Sequence, residues 1–140
     1  VTFKITPLPH RQIHALRASF ARLRQTAASA DFLTVEEIQS AYDTQLASGN
    51  LDEQSLAALG AALGEMICAH GDFEWVHLSD EYGSGPALAS VGFDAVCNPI
   101  GMIEKRLARG EAADLVELCA DTVATIQKMI EAGEAGPRSS

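Results

Sequence analysis

The chain has 140 residues, 47% of them hydrophobic, and a formal net charge of −9. That length fits one domain with one core, and a chain of this size hides roughly 68% of its unfolded surface, so it needs no disulfide or metal staple. No run of 18 apolar residues occurs, which excludes a membrane-spanning helix, and the N-terminus carries no signal-peptide apolar region.

Pro7 and Pro9 mark an extended opening. Ile13, Leu16, Phe20 and Leu23 then recur at helical spacing through about residue 28. His10 and His14 stand four apart on another stripe, but no nearby acid or cysteine completes a ligand set, so no metal is expected. Thr34-Val-Glu-Glu37 reads as a capping box, in which hydroxyl and carboxylate satisfy orphan backbone donors reciprocally. Ile38, Tyr42 and Leu46 continue that second helix, and Gly49 stops it. Asn50-Leu-Asp-Glu53 opens a third helix, with Leu56, Leu59, Leu63, Met66 and Ile67 as its apolar stripe. Gly60 and Gly64 lie four apart within it. Each costs about 1 kcal/mol of helix propensity, which predicts close packing of a neighbour against this helix.

The pattern changes after Gly71. Phe73 to Leu78 alternates as a strand. Asp80 to Pro86 reads as a turn-rich loop, Ala87 to Gly92 as a second strand, and Phe93 to Cys97 as a short third one. Asn98-Pro99 is a helix start, with Asn as cap and Pro in the first helical position. Ile100, Ile103 and Leu107 face the core, and Gly110 ends the helix. A last helix runs from about Ala113 to Glu131, with Leu115, Leu118, Cys119, Thr122, Ile126 and Met129 as its buried stripe. The expected fold is α+β: three N-terminal helices, a small three-stranded antiparallel meander and two C-terminal helices. One domain covers 1–134, and 135–140 form a flexible tail.

Charge is unevenly spread. Residues 1–30 hold Lys4, Arg11, Arg17, Arg22 and Arg24 and no acid; the other 110 residues hold five basic and all 19 acidic groups, a net of −14. Such a surface repels nucleic acid and favours basic partners. Cys68, Cys97 and Cys119 are odd in number and widely spaced, with no CxxC, so neither a disulfide framework nor a zinc site is expected. They read as buried thiols in a reducing cytoplasm. Cys97 alone has a reactive reading, since a helix N-terminus lowers a thiol pKa.

The residues able to do chemistry gather between His70 and Arg106. Trp75 reads as core. His77 shares its strand face, and Asp80 and Glu81 are adjacent carboxylates at the hairpin tip. Gly83-Ser-Gly85-Pro86 is no phosphate cradle, because no Lys-Ser/Thr follows and it leads into a strand. It is no nucleophile elbow either, lacking the G-x-S-x-G pattern.

Leu59-Gly-Ala-Ala-Leu-Gly-Glu65, Phe73-Glu-Trp75, Asp80-Glu-Tyr-Gly83 and Asn98 to Glu111 follow one another in an order that resembles a family of small bacterial domains of unknown function. The resemblance covers about residues 55–128. The resemblance brings no established activity with it. Domains of this size and look occur beside polymorphic toxins, where small acidic proteins act as antidotes, an analogy only.

The expected function is a non-enzymatic protein-binding module, most concretely an immunity-type antidote to a basic bacterial toxin. Its partner-binding residues would be Glu74, Trp75, His77, Asp80, Glu81, Tyr82, Lys105 and Arg106. The alternative is a small hydrolase or ligand-binding domain using His77 with Asp80 or Glu81, with Lys105 or Arg106 as anion clamp and a pocket joining the hairpin to the helix after Pro99. An open sheet edge would also allow a homodimer. No cofactor, nucleic acid or membrane is expected as a partner.

Overall fold

The computed structural model describes residues 3–12, 14–16, 18, 35–49, 53–81 and 83–138. Four strands, β1 (Phe3–Pro7), β2 (Phe73–Asp80), β3 (Gly83–Ser90) and β4 (Val96–Cys97), form one antiparallel sheet in the order β1-β2-β3-β4. Four helices have their full span among these residues: α1 (Val35–Ser48), α2 (Glu53–His70), α3 (Pro99–Ala108) and α4 (Leu115–Glu131). Residues 10–12, 14–16 and 18 are also helical. The rest of the first predicted helix, like Thr34 of the capping box and residues 50–52, lies outside the described residues.

The sheet corrects the expected three-stranded meander. Phe3–Pro7 is not merely an extended opening but a fourth strand, with Phe3 opposite Asp80 and Pro7 opposite Val76. Proline survives there because the strand lies at the sheet edge, where a missing N–H need not break a ladder. The expected loop from Asp80 to Pro86 shrinks to two residues, because Asp80 pairs with Gly83 and the ladder continues through Pro86 opposite His77. Gly-Ser-Gly-Pro has poor strand propensity, but pairing with β2 overrides it. The third predicted strand contracts to Val96–Cys97, since Asn98-Pro99 turns the chain into α3 at once.

Helix ends agree closely with the sequence reading. Asn98 Oδ1 accepts from the Gly101 N–H at 3.0 Å. Gly49 and Gly110 both adopt φ +67°, the left-handed conformation that ends a helix without a Cβ penalty. Asp114 caps α4, its carboxylate accepting from the Val116 and Glu117 N–H groups at 3.1 and 3.2 Å. On α4 the buried positions are Leu115, Cys119, Val123 and Ile126, so Val123 takes the core place expected of Thr122.

The main core joins Ile38 and Tyr42 of α1, Leu59, Leu63 and Ile67 of α2, Leu88 of β3, Ile103 of α3 and Leu115 and Cys119 of α4. Helix α2 is central. Ala58 through Gly64 are buried without interruption, as expected of a helix enclosed on all sides rather than one with a single apolar stripe. Its glycines are where neighbours come closest. A Cβ on Gly60 would stand 2.6 Å from Ile100 Cα, and one on Gly64 would stand 2.6 Å from Trp75 Cη2.

Residues 135–138, assigned from sequence to a flexible tail, make specific contacts. Ala135 is buried with Ala95 and Ile126, and Pro137 forms a bridge with Phe93. The Arg138 backbone N–H donates to Gly92 O at 2.8 Å. Its guanidinium donates to Ser90 O at 2.6 Å and Phe93 O at 3.2 Å, and pairs with Glu74.

Candidate functional site

The residues singled out in the sequence fall into two places. Glu74, Trp75, His77, Asp80 and Glu81 belong to the β2–β3 hairpin; Tyr82 lies outside the described residues. Lys105 and Arg106 sit in the last turn of α3, where cations complement the helix dipole. Several already have intramolecular work. Glu74 pairs with Arg138. Trp75 lies against Gly64 and donates its indole N–H to Glu65 Oε1 at 3.3 Å. Arg106 Nη1 donates to Met102 O at 3.2 Å. His77 is half-buried, opposite Thr6 on one side and Pro86 on the other. Asp80 is three residues along the same strand, so the pleat directs the two side chains to opposite faces.

A cavity of about 340 Å³ does join the hairpin to the start of α3. Leu78, Asp80, Ser84, Pro86, Asn98 and Ile100 line it. It contains one of the expected acids, whereas His77, Lys105 and Arg106 are not among its walls.

A larger groove, about 600 Å³, runs between α1 and the N-terminal end of α4. Val35, Glu36, Gln39, Asp43, Asp114 and Val116 are among its walls. Gln39 fastens the two sides together. Its Nε2 donates to Ala113 O at 2.7 Å and to Asp43 Oδ1 at 3.0 Å, while its Oε1 accepts from the Leu115 N–H at 2.8 Å. Below it, the buried Tyr42 hydroxyl donates to Glu111 O at 2.6 Å. The sequence reading missed this groove, taking Thr34 to Glu37 only as a capping box and giving Glu36 no role. The available signal was Val116, an apolar residue off the buried stripe of its helix.

The three thiols are held by burial. Cys119 is a core residue, and Cys68 and Cys97 are half-buried against the same core. Burial pushes the Cys97 thiol up to about 12, with Cys68 and Cys119 adding to the rise. Burial and then the Glu65 carboxylate push Cys68 up to about 11. Burial thus opposes the activation that the place of Cys97 before a helix start suggested. Native protein at pH 8 is expected to resist iodoacetamide at all three positions and to label fully in urea, a difference read by intact mass. Rapid native labelling at Cys97 would contradict this assignment. Because these pKa values lie above the ordinary value of 9, the unfolded chain loses its thiol protons first. The thiols' contribution to stability is thus complete below pH 9 and falls as pH rises through 11 to 12.

Among the described residues, no three His, Cys, Asp or Glu side chains are grouped to hold a metal ion, and no helix is long and apolar enough to cross a membrane. His10 and His14 are both exposed.

The fold and the two concavities define a small α+β domain with an antiparallel sheet packed on helices. The chain belongs to the family of domains of unknown function DUF3806, whose pattern matches residues 34–118. That span includes both concavities and most of the order of motifs noted in the sequence. No curated protein is significantly similar to the chain. A crystal structure from Bacteroides thetaiotaomicron VPI-5482 shares the fold, with a TM-score of 0.70 at 16% identity over 88% of this chain. The match covers 48% of that protein, so the present chain spans about half its length.

Proposed function

We propose that this domain is a non-enzymatic module that binds a basic protein, most concretely an immunity-type antidote to a basic toxin. One observation carries the reading: the acidic excess lies at the surface. Residues 31–140 have a net charge of −14, and no charged side chain among the described residues is buried. A field of that sign speeds capture of a cationic partner and disfavours nucleic acid and anionic membrane surfaces. The proposed compartment is the cytoplasm, where free thiols stay reduced. The alternative, a ligand-binding or hydrolytic domain around His77, draws support from the hairpin cavity alone.

The test is capture of partners by the tagged chain from lysate of its host, followed by stopped-flow association at increasing ionic strength. The expected result is one stoichiometric basic protein whose association rate falls steeply with salt. Capture of no protein at physiological salt would overturn the reading.

A further inference from the structure

We infer that the groove between α1 and the start of α4 receives a cationic amphipathic segment of a protein partner, with an apolar side chain between Val35 and Val116 and lysine or arginine on either side. This inference rests on the reading of the domain as a binder of a basic protein, and it moves the contact surface away from the hairpin.

Three observations carry it. The first is apolar exposure. Four large hydrophobic side chains are exposed among the described residues, and two of them, Val35 at 38% and Val116 at 52%, line this groove. Singly scattered apolar groups are ordinary surface, but apolar groups that share one concavity rimmed by polar ones are what an interaction site exposes. The second is charge complementarity. Every charged side chain lining the groove is acidic, namely Glu36, Asp43 and Asp114, and among the described residues none of the three takes part in an ion pair. Glu36 and Asp43 are seven residues apart on α1, which separates them by about 10 Å along the helix. That spacing leaves room for one apolar side chain between two basic ones. The third is rigidity. Gln39 ties α1 to Ala113 and Leu115, Tyr42 ties it to Glu111, and Asp114 caps α4. A groove fixed before binding loses little conformational freedom on binding. The basic stretch at residues 1–30 of a second copy has related chemistry and is the competing occupant.

The experiment titrates the isotopically labelled full chain with a synthetic helical peptide of lysine and leucine, followed by amide chemical shifts, with a glutamate–leucine peptide as control. Shifts are expected to concentrate at residues 35–43 and 112–117. Affinity should fall at least about tenfold in Glu36→Lys/Asp43→Lys and in Val116→Asp. It should change less than about twofold in Glu104→Lys/Glu131→Lys, which alters net charge equally at exposed sites outside the groove. Shifts spread over the surface, or equal losses in the two charge-reversed doubles, would overturn the assignment. Dimerisation in sedimentation velocity that Val116→Asp abolishes would give the groove to a second copy and overturn it as well. Capture of the cellular partner separates the two levels. A partner retained undiminished by the groove variants overturns the groove and leaves the binding-module reading standing, whereas no partner for the unmodified chain overturns that reading itself.

Discussion

Replacing Tyr42 with alanine is expected to lower the unfolding free energy by about 4 kcal/mol, within the range for deleting a large buried aromatic side chain. Tyr42 is fully buried. Its ring lies in the main core with Ile38, Leu63 and Leu115, and its hydroxyl ties α1 to the segment leading into α4, through Glu111 O. Tyr42→Phe keeps the ring and removes that bond, leaving a carbonyl short of a donor. It should cost about 1–2 kcal/mol. Urea unfolding of both variants checks the pair. An alanine variant within about 1 kcal/mol of the parent would mean that this core collapses around the deletion. Burial raises the Tyr42 phenol above its ordinary value of 10, with Arg106 opposing and Glu111 and Asp43 adding to the rise. The unfolded tyrosine therefore ionises first, so its share of stability holds below pH 10 and is lost at higher pH.

The second large effect is at Gly60. On propensity alone, Gly60→Ala should stabilise a helix interior by about 1 kcal/mol. Packing reverses the sign. The new Cβ would stand 2.6 Å from Ile100 Cα, and a backbone atom cannot rotate away as a side-chain tip can. Helix α3 would have to move off α2. The expected net loss is about 2 kcal/mol, or a fall in Tm of roughly 6–8 °C for a chain of this size. Gly64→Ala is the informative comparison. There the obstructing atoms belong to the Trp75 ring, so the cost should be smaller and accompanied by a change in tryptophan fluorescence. Thermal melts followed by circular dichroism test both, and a Gly60→Ala variant more stable than the parent would refute the close approach of α3.

These two positions also separate what could be read early from what could not. Glycines four apart on a strong apolar stripe announced a close neighbour to α2, but Ile100 and Trp75 could not be named, because each lies at a distance in the chain that only folding closes. The same divide runs through the candidate site. Glu74 and Trp75 were attractive by residue type, yet Arg138 and Gly64 claim them in the folded chain. The groove residues Glu36 and Val116 are 80 positions apart and meet across two helices.

Local chemistry accounts for the helices. Asn98-Pro99 begins α3, glycines at 49 and 110 end α1 and α3, and apolar periodicity places α1, α2 and α4, since each depends on contacts within a few residues. The acidic balance, the unpaired cysteines and the family resemblance were equally legible in the order of residues. Tertiary structure alone decided the fourth strand, the early start of β3 and the docking of Arg138. Pairing of β1 with β2 joins segments some 70 residues apart, and pairing with β2 across the hairpin imposes extended backbone on Gly-Ser-Gly-Pro, whose own preference lies elsewhere.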